Sequence, residues 1–327
     1  MTAAPGPLAA RHGPAPLILD CDPGHDDALA IIVALARPEL ELLAVTTVAG
    51  NAGLDATTRN ALRVLTLAGR TDLPVAAGAA RPLVRSLHVA SNVHGASGLE
   101  GADLPEPVFA ARPEGAIELM RSVLLAAGRP VTIAAVGPLT NVALLLRTHP
   151  ELAERIDTIR IMGGAITEGN TTASAEFNIW QDPEAARIVL DCGRPITLMT
   201  LDVTHQALFG AADVARLEAL GTRIGSVFAD LLRYFARFHA ERYGWDGSPM
   251  HDAVTVAHLA LPDLVRTVPY RVDVETGSEL TRGRTVVDLH GLTKQPPNAD
   301  VGVAIDRGRF IEVLIDAVAE VGADAPR

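Results

Sequence analysis

Residues 17–31 read LILDCDPGHDDALAI: a strand-like apolar run passes through Asp20 and Asp22, turns at Pro23-Gly24, and enters an apolar helix at Asp26 and Asp27. A strand feeding a helix through a short polar turn opens a β-α unit, and the alternation continues along the chain. Residues 17–19, 42–46, 131–135, 156–161 and 196–199 read as strands; residues 27–36, 56–68, 115–127, 139–147 and 183–190 read as helices. The pattern predicts a mostly parallel central sheet with helices on both faces. Residues 228–243 break the alternation: Phe228, Leu231, Leu232, Phe235 and Phe238 recur at helical spacing, which predicts an amphipathic helix whose aromatics are mostly core.

In open α/β sheets ligands bind outside the carboxyl ends of the strands, where the acids of the opening segment fall. Like charges crowded within a few Å raise one another's pKa unless a cation neutralises them, and an all-oxygen donor set suits Ca²⁺ or Mg²⁺. An aspartate at a helix N-terminus also caps free N–H groups. Four acids between positions 20 and 27 exceed what a cap needs, so the junction reads as half of a metal site.

The chain has 327 residues, 48% hydrophobic and 20% charged, enough for a large core, and one domain accounts for its length. A formal net charge of −11 disfavours nucleic acid and anionic membranes as partners and favours a small neutral or cationic ligand. Cys21 and Cys192 cannot build a disulfide framework, which points to a reducing cytoplasm. Residues 1–15, rich in Ala, Pro and Gly, read as a disordered tail before a domain at 16–327. No run of about 20 apolar residues suggests a membrane span.

The other strand exits supply polar groups. Asn51 closes TTVAGN (46–51), either as a turn residue or at the same sheet edge as the acids. VGPLTN (136–141) opens a helix after a strand, and Thr140 there offers a cap or a backbone carbonyl for a cation. In IMGGAITEGN (161–170), Met162-Gly163-Gly164 lets backbone approach a ligand closely. In AEFNIWQDPEAA (175–186), extended backbone would turn Glu176 and Asn178 one way and Phe177 the other. A carboxylate beside an amide is how a protein grips sugar hydroxyls, although an ordinary polar strand face has the same look. MHDAV (250–254) begins a late helix: Asp252 is a cap or a remote metal carboxylate, and His251 a candidate acid. His94 in SNVHGASGL (91–99) is either ligand-facing or simply exposed.

In order, DCDPGHDD, TTVAGN, VGPLTN, MGG with EFN and DPEAA, and the late HD resemble the inosine-uridine-preferring nucleoside hydrolases, from about residue 16 to the C-terminus. The resemblance implies a single Rossmann-like α/β domain that holds one Ca²⁺ per chain and hydrolyses the N-glycosidic bond of ribonucleosides. By motif position it implies Asp22, Asp27, the carbonyl of Thr140 and Asp252 as calcium ligands, with Asp22 also the general base. It places Asp26, Asn51, the Met162 backbone, Asn170, Glu176, Asn178 and Asp252 around the ribose, Glu176 and Asn170 towards the 5′-hydroxyl and Asp26 and Asn178 towards the 2′- and 3′-hydroxyls. His251 would protonate the leaving base, implying a relaxed or pyrimidine-inclusive preference. His239 and Tyr243, one helical turn apart, would lie near the base. Asp20 is left structural, and the family's habit implies a homodimer or homotetramer.

Two other functions compete with this reading. A Mg²⁺ phosphohydrolase would place Lys or Arg near the acids to hold phosphate, and none occurs between Asp20 and Ala36. A non-catalytic nucleoside- or ribose-binding protein would not need both Asp22 and His251.

Overall fold

The computed structural model describes residues 13–324. The tail expected over residues 1–15 falls outside the described residues as far as residue 12, and Ala15 already opens the first strand.

In β1 (Ala15–Cys21) successive side chains serve two cores: Leu17, Leu19 and Cys21 join one apolar cluster and Ile18 the other. Both faces of the sheet are covered, which is why the strand is apolar except at Asp20. Alongside lie β2 (Leu40–Thr47), β3 (Val75–Ala77), β4 (Val131–Ala135), β5 (Ile156–Met162), β6 (Ile196–Met199), β9 (Val265–Tyr270) and β12 (Ala299–Ile305). Two two-stranded ribbons pair β7 (Leu208–Phe209) with β8 (Ser248–Pro249), and β10 (Val272–Val274) with β11 (Thr285–Val287).

The eight-stranded sheet has the order β3-β2-β1-β4-β5-β6-β12-β9 and is parallel except for β9, which runs antiparallel to β12. The expected mostly parallel α/β sheet is therefore present. The order reverses direction between β1 and β4, and a crevice opens beyond the strand ends at such a switch point.

One face is covered by α1 (His25–Ala36), α2 (Leu54–Leu67), α9 (Ala211–Ala219), α10 (Arg223–Tyr243), α11 (His251–Ala260) and α12 (Arg307–Asp324). The other is covered by α4 (Ala116–Ala126), α5 (Thr140–Thr148) and α7 (Pro183–Leu190). The short helices are α3 (Ser91–His94), α6 (Phe177–Gln181) and α8 (Leu201–Thr204). α1 packs on α11, bringing the late HD pair back to the first strand exit.

The amphipathic helix is α10. The Thr222 hydroxyl caps its start by accepting the Gly225 N–H, and Gly244 ends it at φ 68°, the left-handed position that favours glycine. Phe228, Leu231, Leu232 and Phe235 are buried as expected, and Phe235 with the less buried Phe238 lines a cavity. No helix among the described residues is long and apolar enough to cross a membrane.

Candidate active site

The acids of the first strand exit meet beyond the carboxyl end of β1. Asp22 follows the strand, and Asp26 and Asp27 occupy the first turn of α1. Asp27 folds back to accept the N–H of Asp22 (3.1 Å) and of Gly24 (2.9 Å), so it caps the helix as well as facing its neighbours. Asn51 ties the group together: its N–H donates to Asp22 Oδ2 (2.7 Å), and its Nδ2 to the Asp22 carbonyl and Asp27 Oδ2 (3.1 Å each). From the first turn of α11, Asp252 brings a carboxyl oxygen into one group with Asp26 and Asp27, all within 4.8 Å of one another.

All four acids are buried. Burial pushes the Asp22 and Asp252 carboxyls well above the usual carboxylate range, and the acids beside them push the same way. Asp26 and Asp27 are raised too, again chiefly by burial. The Oδ1 of Asp22 is buried without a hydrogen-bond partner. Close backbone frames this carboxylate: a Cβ on Gly50 would meet Asp22 Oδ2 at 2.1 Å, and one on Gly137 would meet Oδ1 at 2.5 Å. Repelling, desolvated carboxylates with an orphaned oxygen are what a hard divalent cation relieves, so these residues fit a metal site. Asp20 stands apart: its Oδ1 accepts from Thr46 (2.6 Å) and Asn141 (2.8 Å), cross-linking β1 to β2 and α5, and burial raises its carboxyl to about 7.

A cavity of about 480 Å³ opens over this cluster. It is lined by Asp26, Asn51, His94, Met162, Asn170, Glu176, Phe177, Asn178, His239, Tyr243, His251 and Asp252, while Asp22 and Asp27 sit behind that lining. Thr140 is not part of the wall. Its hydroxyl bonds Asp182 Oδ2 at 2.7 Å in the first turn of α5, and Val136, just past β4, reaches the cavity instead.

The Glu176–Asn178 segment also departs from expectation. It is the start of α6, not an extended strand, because Glu176 acts as the N-cap: its carboxylate accepts from Asn178 N (2.9 Å), Ile179 N (3.1 Å) and Gly164 N (3.0 Å). Phe177 therefore shares the cavity with its neighbours instead of turning away. Burial lifts the Glu176 carboxyl to about 7. Asn178 spends Nδ2 on the carbonyls of Val136 (2.8 Å) and Met162 (3.2 Å), leaving Oδ1 as its remaining acceptor. Asn170 Oδ1 accepts the Phe177 N–H at 3.0 Å, which leaves its Nδ2 free to donate.

The far end is aromatic and imidazole-rich. Trp245 stacks on Tyr243 (centroids 4.5 Å apart, planes 19° apart) and on His239 (6.1 Å, 9°), and meets His205 edge-on (4.9 Å). His251, half-buried, places Nδ1 2.7 Å from the Thr204 hydroxyl, and burial with His205, His239 and His94 nearby pushes it well below the usual imidazole range. Burial holds His239 at about 4. Both tryptophans of the chain, Trp180 and Trp245, line the cavity, as does His205. None of these three was singled out from sequence; the scarcity of aromatics, 4% of the chain, was the available signal.

The family model described as inosine-uridine preferring nucleoside hydrolase matches residues 17–312. Pyrimidine-specific ribonucleoside hydrolase RihA of Enterobacter sp. (strain 638) is 52% identical over 306 residues, 93% of this chain and 98% of that protein. Its counterpart from Salmonella typhimurium is 51% identical over 302 residues, 92% of this chain and 97% of that protein. Among solved structures, the purine-preferring ribonucleoside hydrolase from Gardnerella vaginalis superposes with a TM-score of 0.89 at 33% identity, covering 94% of this chain and 99% of its own. An inosine-guanosine nucleoside hydrolase gives 0.85 at 30%, covering 93% and 98%.

Proposed function

The chain belongs to the inosine-uridine preferring nucleoside hydrolase family, and from that premise we propose how its residues hydrolyse ribonucleosides to free base and ribose. The observation that carries the proposal is the orphaned Oδ1 of Asp22, a buried carboxylate oxygen next to a cluster of three further acids. Asp22, Asp27 and Asp252 would hold one Ca²⁺, whose tolerance for irregular carboxylate and carbonyl cages suits this donor set better than Mg²⁺ does. The carbonyl donor expected of Thr140 is assigned to Val136, which reaches the cavity. The chemistry a bound cation supplies there is the acidification and fixing of a water.

Asp22 takes the proton from the attacking water. Asp26 and the free Oδ1 of Asn178 accept from the 2′- and 3′-hydroxyls, while Asn170 Nδ2 and the Glu176 carboxylate grip the 5′-hydroxyl. As the base departs the ribosyl centre becomes oxocarbenium-like, and the surrounding carboxylates stabilise that charge. His251 donates from Nε2 to the departing base. For that the Thr204 hydroxyl donates to Nδ1, which leaves the hydrogen of the neutral imidazole on Nε2, and a neutral imidazole polarises a leaving group by hydrogen bonding as charge develops.

The preferred substrates are pyrimidine ribonucleosides. The relatives at 51–52% identity are named pyrimidine-specific, whereas two of the solved homologues at 30–33% bear purine names. Two free thiols fit a cytoplasmic protein. Assembly as a homodimer or homotetramer would cover exposed apolar side chains such as Val84 and Leu280, which light scattering tests.

The deciding experiment measures reducing sugar released from uridine, cytidine, inosine and guanosine, with and without chelator, for the wild type and Asp22→Ala. Loss of turnover on every nucleoside is expected for the variant; activity within about tenfold of wild type overturns the role of Asp22.

A further inference from the structure

Thr285, in the β10–β11 ribbon outside the main sheet, is not part of the cavity wall, yet it is buried and reaches the strand exit that carries sugar-facing groups. The turn after β5 is tied down residue by residue. Gly163 donates its N–H to the Met199 carbonyl (3.0 Å), the Gly164 carbonyl accepts the Leu201 N–H (2.9 Å), and the Asp202 carboxylate accepts the N–H of Ile166 (2.6 Å) and of Thr167 (3.2 Å). At buried Ala165, between them, both backbone groups go to one hydroxyl. Thr285 Oγ1 accepts the Ala165 N–H at 2.8 Å and donates to the Ala165 carbonyl at 2.6 Å.

We propose that Thr285 is a positioning residue for recognition of the nucleoside's 5′-hydroxyl: by fixing the backbone of Ala165 it holds the Gly164 N–H on Glu176, an inference that rests on the assignment of Glu176 and Asn170 to that hydroxyl.

A hydroxyl carries one hydrogen and two lone pairs, so Thr285 can serve an N–H and a carbonyl at once. An apolar side chain in its place would serve neither, and a buried N–H and C=O left unpaired are driven to turn towards other partners. Gly164 is the residue such a turn would carry with it. It sits at φ 77°, in the left-handed region open to glycine, and donates its N–H to Glu176 Oε2 at 3.0 Å. Glu176 also accepts from Asn178 N–H (2.9 Å) and Ile179 N–H (3.1 Å), but these belong to α6, the helix it caps, whereas Gly164 ties the carboxylate to the sheet. Space enforces the contact as well: a Cβ on Gly164 would meet Thr285 Cγ2 at 2.7 Å and Oγ1 at 2.9 Å, so glycine there is what lets the threonine approach. Asn170 lies further along the same loop, its Oδ1 held by the Phe177 N–H, so a shift at residues 164–165 would disturb both members of the pair. Glu176 and Asn170 line the cavity, and Thr285 acts through them.

Uridine and 5′-deoxyuridine differ only in that hydroxyl, so the ratio of their kcat/KM values reads its recognition separately from the fold. In Thr285→Val, which keeps the shape and loses the hydroxyl, the ratio should fall about tenfold or more, through uridine alone. Thr285→Ser, which keeps the hydroxyl, should stay near the wild-type ratio. Equal losses on both substrates in Thr285→Val would mark a merely structural contact and overturn the proposal, as would a serine variant whose ratio falls as far as that of valine. Should Thr285→Val fail to fold, Thr285→Cys takes its place, since a thiol donates and accepts only weakly. Its ratio should lie below that of Thr285→Ser, and a wild-type ratio overturns the proposal. A wild type that hydrolyses both substrates equally overturns the 5′-hydroxyl assignment and the proposal with it, whereas a wild-type preference that survives in Thr285→Val overturns the proposal alone.

Discussion

Asn51 holds Asp22 at two points, donating its backbone N–H to Oδ2 at 2.7 Å and its side-chain Nδ2 to the Asp22 carbonyl at 3.1 Å. The carboxylate is thereby turned so that Oδ1 alone lacks a partner. The same Nδ2 reaches Asp27 Oδ2, so one amide aligns two proposed ligands. Asn51→Ala keeps the backbone bond and loses both side-chain bonds. Its Ca²⁺ affinity should fall about 10- to 100-fold, as for other residues that orient metal ligands. Calorimetric titration measures this, and wild-type affinity in the variant would remove Asn51 from that role.

The buried acids make stability without a cation depend on pH with a definite sign. Asp20 and Glu176 are raised to about 7, and Asp22, Asp26, Asp27 and Asp252 are raised as well. The folded chain therefore keeps protons that the unfolded chain releases near the ordinary carboxylate pKa. Stability is lost as pH rises from that range through about 7. Chelated protein should melt at a lower temperature at pH 8 than at pH 5.5, and Ca²⁺ should raise the midpoint more at pH 8, where it competes with fewer protons. A Ca²⁺ shift of the same size at both pH values would contradict the carboxylate site.

Thr204 tests the leaving-group end without touching the base itself. Thr204→Val removes the hydroxyl 2.7 Å from His251 Nδ1 while preserving shape. Turnover of uridine should fall about tenfold or more. Turnover of p-nitrophenyl riboside, whose leaving group needs no proton, should stay near wild type. Equal losses on both substrates would show that Thr204 supports the fold and not the proton donor.

Trp245 stacks on Tyr243 and lies nearly parallel to His239 at the aromatic end of the cavity. A base stacked on such a wall gains about 1–3 kcal/mol per aromatic contact. Trp245→Ala should therefore raise KM for uridine roughly tenfold or more, with a smaller effect on kcat. An unchanged KM would place the base elsewhere.

The fold was legible where it was local. Strands β1 and β4 are buried throughout and mostly apolar on both faces, and that pattern specifies a covered parallel sheet. The edge was harder: β9 and β12 owe their pairing to contacts between distant segments and were not foreseen. The site divides in the same way. Asp22, Asp26 and Asp27 share one turn, so their proximity is written in their spacing. The carbonyl donor was harder: sequence does not show which carbonyl of a strand-to-helix turn looks into the crevice, and there Val136 lines the cavity while Thr140 does not. Glu176 and Asn178 do line the cavity, but through a helix cap and not through the alternation of extended backbone. Trp180, His205 and Trp245 come from three separate segments, and only tertiary packing brings them to one wall.

The packing of α1 on α11 has a consequence for how the protein is made. Asp22, Asp26 and Asp27 leave the ribosome early, and Asp252 follows only after most of the chain has been synthesised. The proposed cage would lack Asp252 on a nascent fragment, so tight capture of the ion would wait for α11 to pack on α1.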